Sequence, residues 1–297
     1  MIAASIDIGS NSLKLAIIRC DGNHFEIILQ RRERLRLGAD VIKNGVISPA
    51  STTATVSTVT SFVKEAQDNG AESILIVGTA AIRSAANSSE LISLIEKSCG
   101  YQLEVPSPSE EARLIGISAV RYFKAENTSI LNIDIGGGST EIALFDGGKP
   151  VTLHSLPIGA VGLTTRFIHS DPPTSIELSI LTAHVVEEIR LIEQVVNEQE
   201  WLLTSATSGT CMHISKLLGG SQTTAIELEA LRSLNKRLSK LSLSERSGLP
   251  GISTHRAEVL LAGGIILETL MSQLKIKSLM PCGYSLKEGV LIDRLGL

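Results

Sequence analysis

Residues 132–148, NIDIGGGSTEIALFDGG, run as an apolar strand, an acid (Asp134), three glycines (Gly136, Gly137, Gly138), two hydroxyl residues (Ser139, Thr140) and a second apolar strand. Glycine loses more backbone freedom on folding than any other residue, so three in succession imply a close approach that leaves no room for side chains. The pattern occurs twice. Residues 5–17, SIDIGSNSLKLAI, align without a gap on 132–144, setting Asp7 on Asp134, Gly9 on Gly136 and Ser12 on Ser139. Each segment predicts a β-hairpin with a specialised turn. One Asp-Gly turn between strands is ordinary. Two matched hairpins, one opening each half of the chain, predict two related domains, each presenting its glycine turn to a cleft between them.

Size and composition agree. At 297 residues the chain exceeds one comfortable core. Its 27 Lys and Arg nearly balance 31 Asp and Glu, so no broad basic field points to nucleic acid as a partner. The apolar run VLLAGGIILETLM (259–271) is interrupted by Glu268 and too short to cross a bilayer. The N-terminus enters a strand pattern at once, without the basic opening of a signal peptide. Cys20, Cys99, Cys211 and Cys282 are far apart, as expected of reduced, mostly buried thiols in a cytoplasmic protein.

After the first hairpin the patterning predicts a strand over 24–37, a helix over 52–69, a buried strand over 73–79, helical material to 98, a short strand near 102–105 and a helix from Ser109. After the second come a strand over 150–156 and helices over 160–169 and 175–197. WLLTSATSGT (201–210) passes from strand to helix. Helices over 225–240 and 254–274, the strand IKSLMP and a C-terminal helix complete the pattern. Strand meanders followed by alternating helices and strands, twice over, predict an α/β protein with a mixed sheet in each half. The polar stretch 123–128 sets domains of 1–125 and 126–297, with the helix over about 284–297 able to pack back on the first.

The turns suggest phosphate chemistry. Successive backbone N–H groups with no side chains in the way form an anion cradle. Gly136, Gly137 and Gly138 supply the backbone, and Ser139 and Thr140 add hydroxyls; Ser10, Asn11 and Ser12 do the same in the first turn. Asp7 and Asp134 would repel a bare phosphate but accept one carrying Mg²⁺. Gly209 and Thr210 open a helix, whose N-terminus suits an anion, though an unliganded cap would look the same. No GxxxxGK[ST] occurs, and the triple glycine leads into a strand, which excludes a Rossmann fingerprint.

The segments IDIGSNSLKLAI, IVGTAAIRSAAN, SEEARLIGISAV, IDIGGGSTEIAL, SATSGT, HRAEVLLAGGIILE and GYSLKEGVL stand in the order seen in the exopolyphosphatase and guanosine pentaphosphate phosphohydrolase family. That family belongs to the actin, sugar-kinase and Hsp70 superfamily, and the resemblance covers essentially the whole chain. It implies two ribonuclease-H-like (actin-like ATPase) domains with mixed sheets flanking an active-site cleft. The implied activity removes terminal phosphate from inorganic polyphosphate or guanosine pentaphosphate with Mg²⁺ or Mn²⁺. Glu111 matches the family's catalytic base, Arg83 its phosphate-binding arginine, and Asp134 and Glu141 positions that handle metal and substrate, with Asp7 as their partner across the cleft. Taken alone, Glu110 and Glu111 are ordinary acids of a first helical turn. Two departures stand out: Pro108 replaces the usual glycine before the catalytic acids, and Ala80 a common serine.

Arg32, Arg34 and Arg36 would share one face of a strand, where they could follow a polyphosphate chain or simply guard an exposed edge. The leading expectation is a metal-dependent exophosphatase favouring short polyphosphate chains, with a homodimer as one allowed assembly. An ATP-dependent metabolite kinase and a catalytically silent polyphosphate or alarmone binder are the alternatives.

Overall fold

The computed structural model describes residues 1–22, 24–219 and 224–297. They form two compact units, Met1–Ser118 with Leu286–Leu297, and Ala119–Ser285.

In unit 1, β1 (Ile2–Ile8) and β2 (Leu13–Asp21) form the first hairpin, and β3 (His24–Glu33) continues it antiparallel. The chain then passes through α1 (Leu37–Asn44) and α2 (Pro49–Asp68) to β4 (Ser73–Gly78), which lies parallel to β1. Next come α3 (Ala80–Ser84), α4 (Ser88–Cys99), β5 (Leu103–Glu104) and α5 (Pro108–Phe123). The sheet order is β3-β2-β1-β4-β5. Alternation along β1 sets its two faces. Ala4, Ile6 and Ile8 bury against Val59, Phe62 and Val63 of α2 and Leu91 and Ile95 of α4. On the other face Ala3, Ala16 and Ile18 meet Leu291, and Val77 meets Leu114, Ile115, Leu286 and Val290.

Unit 2 repeats the plan. β6 (Ser129–Ile135), β7 (Thr140–Asp146) and β8 (Lys149–Leu156) form the antiparallel meander, followed by α6 (Ala160–Phe167) and α7 (Ser175–Asn197). Then come β9 (Leu203–Thr207), parallel to β6, α8 (Ser208–Leu217), β10 (Ile226–Glu227), α9 (Leu228–Leu238), α10 (Leu243–Ser247), α11 (Thr254–Gln273) and β11 (Ser278–Pro281), after which α12 (Leu286–Leu295) returns to unit 1. Its sheet runs β10-β11-β9-β6-β7-β8. Apart from β10, this is the strand order of unit 1. α11 is buried on nearly every side, which explains its continuous apolar sequence. Among the described residues no helix is long and apolar enough to cross a membrane, and the four cysteines are free thiols.

The structure differs from the sequence expectation in two places, and in a third it takes up an arrangement that the sequence allowed. β3 stops at Glu33, and Arg36 turns the chain with φ 54° into α1, so Arg36 does not share a strand face with Arg32. The division between units falls inside α5, between Ser118 and Ala119, not in the polar stretch 123–128. α5 runs unbroken through Phe123, and its Leu114 and Ile115 pack in unit 1. α12 belongs to unit 1, where Ser5 Oγ donates to the Lys287 carbonyl (2.7 Å) and Arg113 reaches Asp293 (2.8 Å).

α12 and α5 meet at Gly289, where an added Cβ would lie 1.9 Å from the Leu114 carbonyl oxygen. Gly289→Ala is expected to destabilise the protein by about 1–3 kcal/mol or more, the usual cost of overpacking. Thermal denaturation checks this; an unchanged midpoint would mean that α12 is not clamped there.

Candidate active site

The two glycine turns are built alike. Gly9 N–H donates to the Ser12 carbonyl (3.1 Å) and Gly136 N–H to the Ser139 carbonyl (2.9 Å). A Cβ on Gly9 or Gly136 would stand 3.2 or 3.0 Å from that same oxygen. Each turn is backed by the start of a helix. In unit 1, Gly38 N–H donates to the Ser10 carbonyl (2.8 Å). In unit 2, Ala160 N–H reaches the Gly136 carbonyl (2.9 Å), and the N–H groups of Val161 and Gly162 reach that of Gly137 (3.0 and 3.1 Å). A Cβ on Gly159 would come within 2.4 Å of the Gly137 and Gly138 backbone. The close approach read from the triple glycine is therefore made in part by the chain's own helix. The turns' N–H groups are not used in this packing. Among the described residues no backbone acceptor takes those of Ser10, Asn11 and Ser12, or of Gly137, Gly138 and Ser139. Three successive unclaimed N–H groups make an anion seat.

Beside the turns, matching registers carry opposite charge. Across unit 2, Ser155 pairs with Glu141, Glu141 with Asp134, and Asp134 with Thr207. Asp134 and Glu141 are nearly buried, and Ser155 Oγ donates to Glu141 (2.8 Å). Like charges directly opposite on neighbouring strands repel. Next in the row, the buried Thr207 hydroxyl has no hydrogen-bond partner. Two adjoining carboxylates and an orphaned hydroxyl suit a hard divalent cation. Across unit 1 the corresponding row is Arg32, Lys14, Asp7 and Val77. Lys14 Nζ lies 2.9 Å from Asp7 Oδ2. Asp7, expected as a metal ligand, thus already holds a cation. Among the described residues no three His, Cys, Asp or Glu side chains gather as a metal cage, which leaves Asp134 and Glu141 as a pair in unit 2.

Also in unit 1, α5 presents Glu111. Pro108 occupies the first helical position, where a missing N–H costs nothing. The Ser107 hydroxyl accepts from Glu110 N–H (3.1 Å), and its carbonyl from Glu111 N–H (2.9 Å). The proline departure therefore starts the helix properly. Arg83 Nη1 donates to the buried Glu111 carboxylate (3.0 Å) and to the Pro106 carbonyl (2.9 Å). Neither Nε nor Nη2 of Arg83 has a partner among the described residues. Glu110 points to a different task. Its two-pronged ion pair with Arg113 (2.7 and 2.8 Å) holds its carboxyl below the ordinary range.

Other predicted donors are engaged elsewhere. The Thr140 hydroxyl, wholly buried, donates to the Ile158 carbonyl. Thr210 N–H goes to Ser208 Oγ (3.2 Å), and its side chain lies under α11, where a Cβ on Gly263 would sit 2.5 Å from its methyl group. Neither side chain is placed to meet a ligand. Gly209 keeps its place at the helix start, after Ser208 at φ 93°, a strained angle of the kind found at functional sites. Arg32 Nε reaches Ser12 Oγ (3.2 Å) and Arg34 Nη2 reaches Asn11 Oδ1 (3.5 Å), so both flank the first turn. Two groups lie beyond the sequence expectation. Lys14 stands opposite Glu141 in the gapless alignment, a signal present in the sequence. Arg256, inside the segment HRAEVLLAGG, is buried with Nη1 3.5 Å from Thr210 Oγ1; its depth gives no local sign.

Residues 16–297 match the model of the Ppx/GppA phosphatase family. The chain is 30% identical to exopolyphosphatase 1 of Mycobacterium leprae over 98% of its own length and 88% of that protein. It resembles the crystal structure of the Aquifex aeolicus Ppx/GppA family member with TM-score 0.85 at 26% identity, covering 99% of this chain and 97% of that one. An exopolyphosphatase from Cytophaga hutchinsonii has the same fold, with TM-score 0.92 at 24% identity over 100% and 98% of the two chains.

Gly159→Ala is expected to cost about 1–3 kcal/mol, because its Cβ meets backbone and not a side chain that can move. A melting curve reads the loss. Full stability would mean that α6 does not brace the glycine turn.

Proposed function

Because the chain belongs to the Ppx/GppA phosphatase family, we propose that it hydrolyses the terminal phosphoanhydride bond of inorganic polyphosphate, guanosine pentaphosphate, or both. The pairing of Glu111 with Arg83 carries this proposal. A proton acceptor stands 3.0 Å from a guanidinium whose Nε and Nη2 can grip phosphate oxygens as a fork. Glu111 takes the proton of the attacking water. In unit 1, Arg83 and the N–H groups of Ser10, Asn11 and Ser12 are the donors for phosphoryl oxygens; in unit 2 the N–H groups of Gly137, Gly138 and Ser139, with Gly209, are donors of the same kind. The bridging P–O bond breaks, releasing orthophosphate and a shortened chain.

Asp134 and Glu141, beside the Thr207 hydroxyl, are the residues that would hold Mg²⁺ or Mn²⁺. The ion would neutralise phosphate charge as a Lewis acid. Lys14 neutralises Asp7, so Arg32 and Arg34 give the first turn its fixed positive charge. So compact a basic group favours short polyphosphate chains. A homodimeric form is included in this proposal.

Phosphate release from polyphosphates of several lengths, guanosine pentaphosphate and ATP, with Mg²⁺, Mn²⁺ or chelator, tests the activity. ADP formed without free phosphate would indicate a kinase. Glu111→Gln keeps size and hydrogen bonding but cannot accept the proton, so turnover should fall about a hundredfold to ten-thousandfold with substrate binding retained. Near-normal turnover would remove Glu111 from the mechanism. Asp134→Asn should weaken Mn²⁺ binding measured by equilibrium dialysis without substrate, and unchanged binding would place the metal elsewhere.

A further inference from the structure

α12 carries two ionic side chains among residues that are otherwise apolar. Leu286, Val290 and Leu291 pack under the unit 1 sheet, while Lys287 beside them is nearly buried and Glu288 is wholly buried. Taking both charges out of water is costly, and a buried ion pair of this kind adds little stability that apolar residues would not. Lys287 Nζ donates to Glu288 Oε1, and the same oxygen accepts from Gln30 Nε2 (3.0 Å). The helix is tied down at this point by Ser5 Oγ, which donates to the Lys287 carbonyl (2.7 Å).

Gln30 lies on β3, at one edge of the sheet. β3 carries a bulge, in which Leu29 pairs with Ile17 and Ile27 with Ile18, leaving Ile28 between them. A bulge re-aims the side chains that follow it. Gln30, Arg31, Arg32 and Glu33 are all exposed, and a strand end with no buried face has a weakly specified orientation. Side chains hold it on both faces. On one, Arg31 pairs with Glu65 of α2 (2.8 Å), but both partners are open to solvent and the bond is weak. On the other, Gln30 meets the Glu288 carboxylate, a charge-assisted bond to a partner fixed in the core.

Across the sheet Gln30 stands in one row with Ala16 and Ser5, and the next row on that face is Arg32, Lys14 and Asp7. Arg32 Nε reaches Ser12 Oγ beside the first glycine turn (3.2 Å). We infer that Gln30 and Glu288, with Lys287 balancing the buried charge, position Arg32 for anion binding at the first turn. They are positioning residues and touch no substrate themselves. The inference rests on the proposed role of that turn as a phosphate seat, and adds the side chains that set it.

Glu288→Gln would strand the Lys287 ammonium in the core, so Gln30→Met is the better variant. It keeps the side-chain length, removes the donor and leaves Glu288 paired with Lys287. The probe is a tripolyphosphate analogue with methylene groups in place of its bridging oxygens, which cannot be cleaved there, and titration calorimetry reads its Kd. Arg32→Gln should weaken binding about tenfold, the loss of one hydrogen bond to a charged group. Gln30→Met should weaken it about threefold to tenfold, with the thermal midpoint unchanged. In the Arg32→Gln background Gln30→Met should have no further effect, which is the coupling that a double-mutant cycle measures. Equal weakening in both backgrounds overturns the inference while the turn keeps its proposed role. So does wild-type affinity in Gln30→Met, with or without a lowered midpoint. A wild-type chain that does not bind the analogue refutes the role of the turn, and the inference falls with it.

Discussion

The glycine turn is the constraint on which each unit depends. Its single internal hydrogen bond, from the glycine after the leading strand to the serine three residues on, leaves no space for a side chain. In unit 2 a helix then starts directly against the turn, backbone to backbone at Gly159. The helix N–H groups satisfy the turn's carbonyls, and this sorts the polar groups by direction. Carbonyls face the protein's own helix, and the N–H groups are left unclaimed. Packing alone produces a geometry suited to an anion, with no additional loop.

From this shared frame the units have diverged in charge. Register fixes the residue opposite each leading-strand aspartate, which is Lys14 in unit 1 and Glu141 in unit 2. The first choice neutralises its aspartate with a covalently attached cation. The second sets two carboxylates side by side. One difference at a fixed register position separates a turn beside a neutralised aspartate from a turn beside a carboxylate pair, with no change of backbone.

Much of this was legible in the sequence, because hairpin, turn and register are local. The gapless alignment of 5–17 on 132–144 anticipates both hairpins and pairs Asp7 with Asp134 in equivalent places. What escaped is held by contacts distant along the chain. α1 forms because Gly38 docks on Ser10, and Arg36 bends the chain to reach it. Thr140 and Thr210 look like open hydroxyls until Ile158 and α11 close over them. Pro108 looks like damage to a loop until the helix is seen to begin there. Asp7 reads as a free acid because Lys14, seven residues on, becomes its neighbour only when the strands pair.

The position of α12 bears on the order of folding. Ala119–Ser285 is one continuous stretch, so unit 2 can complete its contacts as soon as that stretch has been synthesised. Unit 1 cannot, because Leu291 covers Ala3, Ala16 and Ile18, and Leu286 and Val290 cover Val77. Domains generally fold in the order they leave the ribosome. Here β1 is made long before the helix that covers it, and part of one face of the unit 1 sheet stays wet until residues 286–297 arrive.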